Sequence, residues 1–132
     1  MLDECPPTVS PPCLILAHPD GAYEAVIARG FRRLGWDLYL ARSGPEVRRL
    51  VRMLEADVVV MDADLPVESG WLTCDKLTRE QPLVKVVLVT DNLSPRNQEL
   101  AAFVDASALV GRGEGLAPLL HELIGPMVQA AG

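Results

Sequence analysis

Three short apolar runs punctuate the chain: CLILA at residues 13–17, VVVM at 58–61 and VVLV at 86–89. Each is rich in branched residues and lacks polar alternation, the pattern of strands covered on both faces in a parallel sheet. LYLA at 38–41 and ALV at 108–110 are weaker strand candidates. Between the runs the apolar spacing changes to three and four. Tyr23, Ile27, Phe31 and Leu34 fall on one helix face, and Val47, Leu50, Val51 and Leu54 on another. Ser43 is placed to cap that second helix, with Glu46 reaching back to close a capping box. A third helix is expected over Trp71 to Glu80. A fourth opens at Ser94-Pro95, a capping residue followed by a proline tolerated in the first turn. Leu116, Leu119, Leu120, Leu123 and Ile124 mark a fifth, ended or kinked by Gly125-Pro126.

Five strands and five helices in strict alternation predict an α/β fold, a doubly wound parallel sheet with right-handed crossovers. The expected strand order is 2-1-3-4-5, with Val58 to Met61 buried at the centre, two helices on one face and three on the other. The 132 residues suffice for one core. No apolar run approaches the ~20 residues of a membrane span, and a hydrophobic fraction of 49% suits a soluble globular protein. Residues 1–12, MLDECPPTVSPP, carry acids and prolines where a secretory signal would be basic and then apolar, and are expected to be a disordered leader. Residues 13–124 form the expected domain and 125–132 a C-terminal tail. Cys5, Cys13 and Cys74, odd in number, lack the spacing of a zinc knuckle or redox pair, so free thiols in a cytoplasmic protein are expected.

A net charge of −6 argues against a nucleic-acid surface, which needs a basic stripe to displace counterions. Arg29, Arg32 and Arg33, and Arg48, Arg49 and Arg52, form two local basic groups. Each falls on a predicted helix, where a solvated face accounts for it.

In open sheets of this kind the carboxyl ends of the strands line a crevice where strand order reverses. The residues that follow the first, third, fourth and fifth strands are His18-Pro19-Asp20, Asp62-Ala63-Asp64, Thr90-Asp91-Asn92 and Gly111-Arg112-Gly113. A carboxylate, a hydroxyl and a cation are therefore expected to converge. An apolar strand that delivers Asp62 to such a spot makes it a candidate reactive carboxylate.

These residues resemble the receiver domains of bacterial two-component response regulators, which have a flavodoxin-like fold. The resemblance covers residues 13–124. Its most specific part is Asp62 with Pro66 four residues on and Gly70 eight residues on, in MDADLPVESGW. It implies that Asp62 is the phosphoacceptor of a phosphorelay, that Thr90 at the end of VVLVT contacts the phosphoryl oxygens, and that Arg112 stands where the family has an ion-pairing lysine. It also implies signalling partners, a histidine kinase or downstream target, and a possible homodimer through the fourth helix, fifth strand and fifth helix. Arg96, Gln98, Glu99, Arg112 and Glu122 are polar candidates there.

Several positions depart from the family pattern. The two acids that hold a magnesium ion with the phosphoacceptor correspond to His18 and Pro19, so a metal site would need Asp20, shifted by one residue, beside Asp62. The usually small residue after Thr90 is Asp91, and the aromatic switch position is Leu109. If Asp91 points inward, a unit charge near 4 Å from an incoming phosphoryl oxygen costs about 4 kcal/mol at an effective dielectric of ~20. That would slow transfer ~1000-fold. A domain that signals by protein contact, with a degenerate magnesium site and slow or absent phosphorylation, is the expectation. The alternative is an ordinary magnesium-dependent receiver that uses Asp20. A small metal-dependent hydrolase is less consistent with the residues. The DxD of Asp62 and Asp64 also opens the haloacid dehalogenase phosphatases, but the lysines, Lys76 and Lys85, both precede Thr90. LAHPDGAYE resembles the AHPDDE of zinc-dependent sugar deacetylases, but Gly21 takes the place of a ligand and the other histidine, His121, is within the fifth helix. No output domain is recognisable after that helix, so an effect is expected to pass through another protein or through a part beyond this sequence.

Overall fold

The computed structural model describes residues 10–125. Over that span β1 (Cys13–Ala17), α1 (Gly21–Arg33), β2 (Asp37–Leu40), α2 (Gly44–Leu54), β3 (Val58–Asp62), α3 (Gly70–Glu80), β4 (Lys85–Thr90), α4 (Pro95–Phe103), β5 (Ala108–Gly111) and α5 (Ala117–Leu123) follow one another in chain order. The strands form one sheet in the order β2-β1-β3-β4-β5, with every neighbouring pair parallel. This is the expected flavodoxin-like topology. Most of the leader, residues 1–9 with Cys5, and the tail from Pro126 lie outside the described residues.

Strand residues alternate between the two faces. Leu14, Leu16, Val58, Val60, Val87 and Val89 pack with Tyr23, Ile27 and Phe31 of α1 and Leu119 and Leu123 of α5. Ile15, Val59, Met61, Val86 and Leu88 pack on the other face with Val47 and Val51 of α2, Cys74 and Leu77 of α3, and Val104 at the end of α4. Burial on both sides is why these strands read as unbroken apolar runs. Each fully buried Val or Leu stabilises the fold by about 1.5–3 kcal/mol relative to exposure. Register then fixes what stands at the top. Asp62 pairs with Val89, and Thr90 pairs with Gly111, immediately before Arg112.

Local details differ from the sequence reading. Leu34 is the C-cap of α1 and 53% exposed, because the chain turns away at Gly35, whose φ of 85° suits glycine. Ser43 caps α2 by accepting from the Glu46 amide, but Glu46 reaches one residue further back, to the Arg42 amide. Arg48 is no solvated helix residue. Its guanidinium makes two hydrogen bonds to Glu68, at 3.1 and 3.2 Å. Arg49 and Arg52 keep to the exposed face as expected. Cys13 and Cys74 are free thiols.

The loop after Asp62 is anchored from below. A methyl group on Gly70 would run into the Asp62 carbonyl oxygen, so the glycine lets α3 start directly against the strand end. Val67 has φ of 71°, strained for a β-branched residue, and the Glu68 amide donates to the Pro66 carbonyl across it at 2.8 Å. Glu68 follows, nearly buried, and holds the strained turn down. Its carboxylate accepts from Arg48, from Lys76 at 2.7 Å and from Thr73 at 2.7 Å, which ties the loop to α2 and α3. Burial alone would raise the Glu68 pKa, but the hydrogen bonds from Arg48, Lys76 and Thr73 outweigh it and bring it to about 2. A carboxyl depressed in the folded state stabilises above its unfolded pKa, and that contribution fades as pH falls toward the folded value. Glu68→Gln is therefore expected to lower unfolding free energy by about 2–4 kcal/mol at pH 7. In urea denaturation the gap to wild type should narrow steadily from pH 4.5 toward 2.

Candidate functional site

The crevice at the carboxyl end of the sheet collects four loops. Asp62 shares the parity of Val58 and Val60, so its side chain leaves the sheet on the α1 side, 15% exposed. His18, which follows β1, has a side chain only 4% exposed, with Nε2 4.0 Å from Asp62 Oδ2. Its Nδ1 accepts from the Asp20 amide at 3.0 Å. The Tyr23 ring, one helical turn on, tilts against the imidazole with centroids 4.6 Å apart.

Asp20 caps α1. One carboxylate oxygen accepts from the Ala22 and Tyr23 amides at 3.0 and 3.2 Å, and the other accepts from Arg112 at 2.5 Å. Arg112 binds Asp91 through Nε at 2.5 Å as well. One guanidinium thus joins the loops after β1, β4 and β5. The inward Asp91 considered from the sequence is not what forms. Its carboxylate is 73% exposed and turned to Arg112, which is a stronger partner than an apolar crevice wall. Thr90 reaches the site by position but not by contact. It continues the parity of Val86 and Leu88, and its hydroxyl accepts from the Asn92 amide at 3.1 Å in a local turn.

Electrostatics follow from this packing. Burial pushes the Asp62 carboxyl up, against the Asp64 amide and His18, which favour its charge. Burial pushes His18 down, against the pull of Asp62 and Asp20. The Nδ1 contact acts in the same direction, because a protonated imidazole would face the Asp20 N–H donor with a second donor. The neutral ring consequently carries its proton on Nε2, toward Asp62. Burial also lifts the Tyr23 phenol to about 12.

A family model described as the response regulator receiver domain matches residues 19–111, well over half of the chain. The chain belongs to the response regulator receiver family. Response regulator GacA of Pseudomonas aeruginosa is 44% identical over 50 residues, which cover 38% of this chain and 23% of that protein. Transcriptional regulatory protein AfsQ1 of Streptomyces coelicolor is 28% identical over 81 residues, 61% of this chain and 36% of that one. This receiver therefore spans well under half the length of both relatives. Among solved structures, a CheY-like receiver domain from Methanospirillum hungatei superposes with a TM-score of 0.81 at 18% identity, over 91% of this chain and 96% of that one. The BeF3-activated receiver domain of Klebsiella pneumoniae RstA gives 0.76 at 24% identity, over 84% and 94%. Those identities speak to the fold.

The residues of this receiver do not fit the family's magnesium ion. Magnesium asks for oxygen ligands in a near-octahedral shell. Here the acid positions are His18 and Pro19, and Asp20, the substitute considered from the sequence, has both oxygens committed to the helix cap and Arg112. Among the described residues no three His, Cys, Asp or Glu side chains stand close enough together to hold a metal. His121, on α5, is exposed and takes no part.

Sequence reasoning placed Asp62 and Arg112 but missed their closest partners. That His18 packs against Asp62 was legible only as a loop histidine, and Tyr23 only as a core aromatic. Mutating Asp62 tests the pairing. Because its charge raises the His18 pKa, Asp62→Asn should move the His18 titration midpoint, already depressed, further down in pH. Two-dimensional imidazole nitrogen NMR should show the Nε2–H tautomer in both proteins. An upward movement would mean that the two groups do not interact as described.

Proposed function

We propose that this receiver signals mainly by binding partner proteins, with phosphorylation at Asp62 slow or absent. The observation that supports this most is Arg112 held between Asp20 and Asp91. Phosphoryl transfer is mostly positioning and charge neutralisation. A phosphoryl group on Asp62, of charge near −2 at neutral pH, would draw on Arg112, which would have to give up two carboxylates to reach it. The planar guanidinium is also bulkier than the family's ammonium. In this reading Asp62 is the candidate phosphoacceptor by position, and Thr90 and Arg112 are its companions by register rather than by contact.

The same reading makes the protein a non-enzymatic, cytoplasmic module of residues 13–124 that engages a histidine kinase or downstream target and does not bind nucleic acid. No described helix is long and apolar enough to cross a membrane. A homodimer or target contact through α4, β5 and α5 is supported by the openness of that surface. Of α4 only Ala101 is buried, and Arg96, Gln98 and Glu99 are exposed. Arg112 belongs to the crevice instead, and Glu122 supplies its carbonyl to Lys85 at 2.9 Å.

Incubation with acetyl phosphate and magnesium, followed by intact-mass measurement, tests the proposal. The expected result is no stoichiometric adduct on the timescale that modifies an ordinary receiver. Rapid gain of one phosphoryl group, lost in Asp62→Asn, would overturn it.

A further inference from the structure

We propose that the groove between α1 and the open edge of β2 docks an acidic, partly apolar segment of a partner protein. The two flanks of α1 differ. On one, Gly30 lies against the Leu116 side chain, so the α5 region covers it. On the other the sheet ends at β2, and a groove of about 630 Å³ stays open. Ala25, Ala28 and Leu40 give it an apolar floor, and Leu40 is 42% exposed there. Arg29, Arg32 and Arg33 line it, with Glu24 the one carboxylate.

Charge decides what fits. In a chain of net charge −6 these three guanidiniums gather on one helix, and none of them has an ion-pair partner among the described residues. The other arginine group behaves differently, since Arg48, Arg49 and Arg52 each pair with a glutamate. Unpaired guanidiniums beside an apolar floor suit carboxylates arranged around a bulky apolar side chain. A phosphodiester chain would satisfy the arginines but leave that floor uncovered, and the overall negative charge repels it.

Recognition is by side chains rather than by strand addition. The Tyr39 position turns its backbone groups toward β1, so the backbone groups of Leu38 and Leu40 point along the open edge, and Arg32 donates to the Leu38 carbonyl at 3.2 Å. A charged side chain over an open edge blocks an incoming strand. This surface lies away from α4, β5 and α5 and does not depend on the state of Asp62, so the proposal stands or falls separately from the phosphorylation reading.

Selection of short random peptides displayed on phage against the wild-type domain, without phosphoryl donor, is the test. Enrichment of sequences rich in Asp and Glu with an interspersed apolar residue is expected. The best of these, synthesised with a fluorescent label, should lose roughly tenfold or more in affinity toward Arg29→Glu/Arg33→Glu, and should weaken as salt rises. Arg79→Glu on α3, an exposed arginine away from the groove, should leave it unchanged. Both arginines are exposed, and circular dichroism melting would verify that the double variant folds. Absence of enrichment, enrichment without acidic bias, preference for a DNA oligonucleotide over the acidic peptide, or affinity unaffected by the charge reversal would each overturn the proposal.

Discussion

The Arg112 guanidinium lies between two carboxylates at the mouth of the crevice, and the arrangement of the site depends on that sharing. Asp20 offers it one oxygen while the other caps α1, and Asp91 offers it a second contact from the far side. Three loops that come from three different strands are thereby tied to one side chain. The resemblance to receivers would put a metal ion and a lysine in this region. Here a covalently attached cation and two fixed anions close the mouth.

Behind that closure Asp62 is held in unusual company for a charged group. The strand below it is wholly apolar, its own side chain is largely buried, and 4.0 Å away stands a histidine whose pKa burial lowers. The loop beyond it is strained at Val67 and fastened by Glu68 to two helices. One ion network closes the crevice from above and the other fixes its rim from the α2 and α3 side. Both favour a single arrangement of the loops, which suits a surface that is read by partners.

The fold was legible because its signals are local and repetitive. Branched runs covered on both faces, and helices with three-and-four spacing, leave few topologies open to them. Gly70 was legible as part of a spacing, although its reason, the Asp62 carbonyl against its Cα, is a contact only the structure displays. Side-chain partnerships across long sequence separations were not legible. Arg48 looked like surface because its partner Glu68 is twenty residues away. Asp20 and Arg112 lie ninety-two residues apart, and nothing in either stretch names the other. The direction of Asp91 was left open by the sequence, since a short acidic side chain at a strand end turns to whichever cation the fold brings near, here Arg112.

The claim that Arg112 and its two aspartates stand in place of a metal site is tested most directly by titrating the domain with magnesium in a calorimeter. The account predicts no resolvable binding by the wild type at millimolar ion, and binding that appears when His18 and Pro19 are both replaced by aspartate. Saturable binding by the wild type that disappears in Asp20→Ala would contradict it.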